Sequence, residues 1–153
     1  MNANSNPDGY RTITPYLKLP GAGRLLEFLT DAFDGVERGK LTKPDGTVLH
    51  AEVQIGDSLV MVHEAPPHWP VRPSTLYLYV ADADAIYQRA LAAGGESLAA
   101  PTDMYYGDRV ACVRDVSGND WWIATRLESA SMAEIQQRAT EFLSARAGAA
   151  NQH

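Results

Sequence analysis

Two histidines and a glutamate fall within one short stretch: His50 and Glu52 in VLHAEVQI and His63 in SLVMVHE, with Gly56-Asp57 between the runs. A Gly-Asp pair between two strand-like runs favours a tight hairpin, because a primed turn needs φ > 0. In that register Ile55 faces Ser58, Val53 faces Val60 and Ala51 faces Val62, an aliphatic face suited to packing on a helix. The opposite face pairs His50 with His63, Glu52 with Met61 and Gln54 with Leu59, opposed Cβ atoms being about 4.5–5.5 Å apart. Such a face can orient a bound molecule through His50, His63 and Gln54. It can also move a proton, with His50, Glu52 and His63 as catalytic candidates, since a carboxylate beside histidine sets its tautomer and raises its pKa. Two imidazoles and Glu52 holding a divalent metal is a lesser alternative, and a partly exposed hairpin with incidental polar residues remains open. Met61 and Leu59 on the same face favour the wall of a half-apolar cavity. A slip of one residue would reverse the faces.

The second half of the chain offers aromatic groups. Tyr77 and Tyr79 alternate with Leu76, Leu78 and Val80, so the aliphatic side belongs against a helix. The tyrosine side is expected to face the same cavity as the histidines, offering ring surface and hydroxyl donors; edge-facing tyrosines are the alternative. Adjacent strand residues point to opposite faces, so one of Trp121 and Trp122 is core and the other is free to stack on a flat ligand. Arg109 either pairs with Asp108, Asp103 or Asp115 or grips an anionic ligand. The candidate ligand-binding residues are therefore Gln54, Met61, Tyr77, Tyr79, Arg109 and Trp122. No GxSxG, phosphate loop, GxGxxG or CxxC occurs, and Cys112 in a β run reads as buried and inert.

The elements that must position these residues come in a repeating order. Ile13–Leu19 is a short β run closed by Pro20-Gly21, and Leu25, Leu26, Phe28, Leu29, Ala32 and Phe33 recur at helical spacing until Gly35. The hairpin strands Val48–Ile55 and Ser58–His63 follow. Pro66, Pro67, Pro70 and Pro73 then mark a semi-rigid linker, in which His68 and Trp69 could cap a pocket mouth. Beyond it the order restarts: strand Thr75–Val80, helix Asp82–Ala93 stopped by Gly94-Gly95, then strands Val110–Arg114 and Trp121–Thr125. The two halves are offset by about 60 residues, which points to internal duplication. A last helix, Ser129–Ala147, carries a capping box in Ser131 and Glu134 and one apolar stripe. It is expected to pack on its own domain, or else to act as a lid or dimer contact.

The chain has 153 residues, 45% hydrophobic and 21% charged, which suits one domain with a real core and excludes wholesale disorder. Thirteen Lys and Arg stand against 19 Asp and Glu, for a net charge of -6. No basic run offers the cationic face that nucleic acid or an anionic membrane would need. No apolar run approaches the ~20 residues that span a bilayer, and Met1–Tyr10 lacks the pattern of a signal peptide. With a single cysteine nothing suggests an oxidising compartment, and a cytoplasmic protein is expected.

From Thr14 to Thr125 the sequence resembles the glyoxalase/bleomycin-resistance/dioxygenase family, the vicinal oxygen chelate superfamily. The resemblance is carried in order by TPYLKL, LLEFLTDAFDG, HAEVQIGDSLVMV, LYLYVADADAIYQRALAAGG and YGDRVACVRDVSGNDWWIAT. It implies an α+β fold of two βαβββ modules, each a curved mixed sheet around a cavity, often closed further by homodimerisation. Residues 11–127 would be one such domain: module one 11–64, Pro-rich linker 65–74 and module two 75–127. The C-terminal amphipathic helix is then 128–147, with 1–10 and 148–153 as flexible tails. In the family's metal enzymes the ligands map near Thr14, Thr75, Trp122 and His63 or Glu64, which leaves one potential ligand of the usual three or four. No cofactor is therefore expected. The leading expectation is metal-independent binding of an aromatic or natural-product-like small molecule in a homodimer. The alternatives are a metal-independent isomerase, lyase or cyclase using Glu52 and His50 or His63, and a metal-dependent enzyme.

Overall fold

A strip of aliphatic side chains along one side of a helix must find a sheet to cover it, and this happens twice in the computed structural model, which describes residues 6–150. The first module runs β1 (Tyr16–Leu19), α1 (Ala22–Phe33), β2 (Val36–Thr42), β3 (Val48–Ile55), β4 (Ser58–Glu64). The second repeats it as β5 (Thr75–Tyr79), α2 (Ala83–Ala92), β6 (Glu96–Asp103), β7 (Asp108–Arg114), β8 (Asp120–Arg126), and α3 (Met132–Ala150) follows. The strand orders match, β1-β4-β3-β2 in sheet 1 and β5-β8-β7-β6 in sheet 2. In each, the first strand lies parallel to the last, and the other pairs are antiparallel. This is the α+β architecture of two βαβββ modules with a C-terminal helix.

The duplication also appears in steric detail. Gly35 follows α1 and donates its N–H to Leu29 O (3.0 Å), as Gly95 after α2 donates to Ala90 O (2.9 Å). A Cβ on Gly35 would lie 2.8 Å from both Leu29 O and Val53 Cγ1, and one on Gly95 would lie 2.5 Å from Val113 Cγ1 and 2.8 Å from Ala90 O. Both glycines let the chain leave a helix and pass tightly under it into the next strand.

The two helices lie between the two sheets. α1 buries Leu25, Phe28, Leu29 and Ala32 against the Ala51, Val53, Val60 and Val62 face of sheet 1. α2 covers the Ala111, Val113 and Ile123 face of sheet 2 with Ala83, Tyr87 and Ala90. α1 packs on α2, Phe33 meets Trp121 with ring centroids 4.9 Å apart, and Arg89 of α2 forks onto Asp34 at the end of α1. One core thus joins both modules.

Two strands, β2 and β6, were not legible as alternating patterns. Their residues are mostly exposed, and both carry irregularities in register. The last helix begins at Met132 on the expected capping box: Glu134 accepts from Ser131 N (2.7 Å), and Ser131 Oγ accepts from Glu134 N (3.2 Å). It runs to Ala150, past the expected end at 147, with no residue fully buried. No helix among the described residues is long and apolar enough to cross a membrane.

If the two glycine passages are equivalent, Gly35→Ala and Gly95→Ala should each lower the unfolding free energy by about 1–3 kcal/mol through overpacking. Gly148→Ala, where a Cβ meets open space, should leave it unchanged or raise it slightly. Chemical denaturation of the three variants checks this.

Candidate functional site

The tight reversal after Ile55 fixes what faces what. Gly56 takes a φ of 56° while Asp57 does not go positive, the pattern of a II′ turn. The observed register pairs His50 with His63, Glu52 with Met61 and Gln54 with Leu59. All six lie on the outer face of sheet 1, away from α1. His50 Nδ1 and His63 Nδ1 stand 3.2 Å apart, so one ring donates to the other. Burial, then His50 and Lys18, hold the His63 pKa below its usual value. Tyr16 meets His63 edge-on at 5.9 Å between centroids, and Lys18 is its cross-strand neighbour on β1.

Glu52 is not joined to either imidazole. It lies with Gln54, Arg38 and Leu59 in a pocket of about 340 Å³ that Asp8, Gly9 and Tyr10 help to line. The expected tail thus has its described end, residues 6–10, laid on this face, while residues 1–5 lie outside the described part. The Tyr10 hydroxyl is buried there without a well-aligned hydrogen bond, and burial followed by Glu52 pushes its pKa up to about 12. Gln54 spends one amide hydrogen on Gly56 O at 2.8 Å.

The outer face of sheet 2 is built around a buried carboxylate. Asp108 is 2% exposed, and its Oδ2 accepts from both Tyr77 and Tyr79 hydroxyls at 3.1 Å. Arg126 Nε stands 2.6 Å from Oδ1, and Arg126 Nη2 donates to the Tyr79 hydroxyl at 3.2 Å. Burial, then Tyr106 and Asp108, raise the Tyr77 pKa well above the usual phenol range. The tyrosine hydroxyls, expected as donors to a ligand, are therefore committed to Asp108. What remains available is ring surface: Tyr77 and Tyr79 are 45% and 57% exposed, with centroids 5.2 Å apart, and Trp122 beside them is 37% exposed. Trp121 is the buried member of the tryptophan pair.

The histidines and tyrosines do not line one cleft here: α1 and α2 pack between the sheets, and the cleft beside them takes Tyr77 and Tyr79 into its lining but neither histidine. Of the two expectations for Arg109, the ion pair with Asp103 is found, Nη1 to Oδ1 at 2.8 Å, joined by Asp84 on α2 at 2.6 Å from Nε; β-strand parity turns the side chain toward α2 and away from the aromatic face. The cation on the aromatic face is Arg126. Sequence reasoning offered Asp108 only as a partner of Arg109, whereas it holds Arg126 and the two tyrosines, and it passed over Lys18, whose signal was its alternation with Leu17 and Leu19. The cleft between the modules, about 750 Å³, is lined by Phe33, Ile55, Val60, Leu76, Leu78 and Trp121 among others, and contains neither histidine.

A metal does not suit these donors. Of the positions the family resemblance maps, Thr14, Thr75 and Trp122 are poor metal ligands, Glu64 is committed to the start of α1, accepting from Gly21 N (3.0 Å) and Ala22 N (2.7 Å), and His63, hydrogen-bonded to His50, is the one ligand left. Among the described residues no three of His, Cys, Asp and Glu converge on one point.

Residues 21–123 match the family model of the Glyoxalase/Bleomycin resistance protein/Dioxygenase superfamily. The chain belongs to this superfamily. An uncharacterized protein of Mycobacterium bovis is 34% identical over 135 residues, covering 81% of this chain and 89% of that protein. A Mycobacterium tuberculosis protein, also uncharacterized, is 34% identical over 135 residues, covering 81% and 79%. Among solved structures, TioX from Micromonospora sp. ML1 is similar at a TM-score of 0.63 and 24% identity, over 75% of this chain and 99% of that one. Protein PA1353 from Pseudomonas aeruginosa is similar at 0.64 and 20%, over 77% and 99%. At these identities the structures show the superfamily fold alone.

His63 is expected to titrate below 6.5 when its imidazole signals are followed by NMR. Because the depressed folded pKa favours the neutral ring, its contribution to stability is present above pH 6.5 and lost as pH falls through its folded pKa. Asp108→Ala strands two phenols and Arg126 and should cost about 1–3 kcal/mol in denaturation.

Proposed function

We propose that this superfamily member binds a small, largely aromatic or natural-product-like molecule without a metal, in a homodimer. The site lies between the outer face of sheet 1 from one copy and the outer face of sheet 2 from another. The observation that carries this reading is the pair of outward faces: one polar with two imidazoles, the other a platform of half-exposed aromatic rings pinned by a buried Asp108. Each is one wall of a cavity, and apolar rings left on a sheet face mark an interaction site. β1 and β5 are edge strands, so each presents an unpaired backbone edge through which the sheets of two copies can join. The donor chemistry at the mapped ligand positions favours binding without a metal. A cytoplasmic setting belongs to the proposal, since the lone Cys112 is buried and its thiol pKa is raised by that burial.

A second reading follows from the histidine pair. A neutral His63 at pH 7, hydrogen-bonded to His50, can accept a proton, which would suit a metal-independent isomerase, lyase or cyclase. Glu52, turned toward Tyr10, would assist less directly than expected.

N-phenyl-1-naphthylamine, a neutral dye that brightens in apolar sites, tests the binding reading together with light scattering. The protein is expected to run as a dimer and to bind the dye. Tyr77→Ala and Trp122→Ala should each weaken binding about tenfold or more, as for loss of a packed aromatic contact. A monomer whose dye affinity is unchanged in both variants would overturn the proposal. Substrate turnover abolished by His63→Ala, with dye affinity kept, would favour the enzyme reading.

A further inference from the structure

We infer that the corner of sheet 1 where β1, β3 and β4 meet is a subsite for an anionic oxygen, a carboxylate carried on a flat aromatic body. This inference rests on the outer face of sheet 1 being a ligand wall, as proposed above, and names what that wall recognises.

Three nitrogen bases converge there. Lys18 on β1 is in register with His63 on β4, which is in register with His50 on β3. Lys18 makes no ion pair among the described residues. Its ammonium instead lies 3.7 Å from the centroid of Trp69, a half-exposed ring that the proline linker folds back over this corner. The carboxylates nearby are otherwise engaged: Glu64 accepts from the first N–H groups of α1, and Glu52, two residues along β3, faces Tyr10. On β2, the residues opposite are Leu41 and Gly39, which carry no charge. Tyr16 lies edge-on to His63, and His68 adjoins Trp69 in the linker. Glu64, next to His63, keeps its charge but turns its oxygens to the start of α1, so Lys18 has no ion-pair partner among the described residues and an anion bound there gains a charge-assisted partner.

The histidine pair adds a donor of its own. When one ring donates from Nδ1 to the other's Nδ1, the accepting ring must carry its proton on Nε2. That N–H has no partner among the described residues. A bound carboxylate can accept from that N–H while the Lys18 ammonium faces its charge. Trp69 and Tyr16 flank the corner and Met61 continues the face toward the turn, so the body of the ligand meets flat and apolar surface.

Calorimetric titration with 2-naphthoate and with neutral 2-naphthalenemethanol, which has the same ring system, tests the inference. At pH 6 the naphthoate is expected to bind at least tenfold more tightly than the alcohol, the scale of a charge-assisted hydrogen bond. The preference should shrink with added salt. Lys18→Gln should remove most of it, Lys18→Arg should keep it, and His63→Gln should reduce it. Equal affinities for the two compounds would overturn the subsite, as would a preference untouched by Lys18→Gln and His63→Gln. If the neutral alcohol binds and naphthoate does not, the subsite falls while the ligand wall stands. If naphthoate, the alcohol and the neutral dye all fail to bind, both readings fall.

Discussion

The two helices pack on each other between the two sheets, and the candidate site depends on that. Phe33 at the end of α1 packs on Trp121 of β8, α1 lies against α2, and Arg89 ties α2 to Asp34 at the close of α1. The ion pair is exposed and contributes little by itself; the buried aromatic and aliphatic contacts carry the association. Once both helices are inside, each sheet has one face against the core and the other against whatever comes next. The histidines and the tyrosines are placed on these second faces by strand parity, each on its own sheet and away from the shared core.

The faces divide the chemistry. Sheet 1 contributes groups that donate, accept and carry positive charge: His50, His63 and Lys18. Sheet 2 contributes rigid surface, because Asp108 takes the hydroxyls of Tyr77 and Tyr79 and leaves their rings outward. A buried carboxylate with two phenols and a guanidinium around it is a fixed scaffold rather than a free acid, so the aromatic platform is held before any ligand arrives. The ligand positions that the family resemblance implies hold Thr14, Thr75 and Trp122, with His63 the one potential ligand and Glu64 capping α1.

Local geometry was legible in the sequence wherever a turn and an alternation agreed. Gly56-Asp57 set the hairpin register, and with it the meeting of His50 and His63. Edge strands β2 and β6 were not legible, since VERGKLT and ESLAAPTD are mostly exposed and broken in register, so no face demands apolar residues. The side taken by Arg109 was not legible for a related reason: Val110 to Val113 is apolar on both faces of β7, and parity cannot be read from a strand buried on both sides. Which way the modules face one another was beyond the sequence altogether. A βαβββ unit has the same aliphatic helix and the same alternating strands whether its helix packs inward on its sister or outward on solvent.

The claim that a site needs two copies is tested most directly by complementation. One variant carries His50→Ala and His63→Ala, breaking the face of sheet 1; the other carries Tyr77→Ala and Trp122→Ala, breaking the face of sheet 2. Each alone should lose binding of 2-naphthoate. When the two are unfolded together and refolded, mixed dimers combine one doubly broken site with one intact site, and binding should return with an affinity like that of the unaltered protein. If mixing restores nothing although mixed dimers form, the walls of the site come from a single chain and the account is wrong.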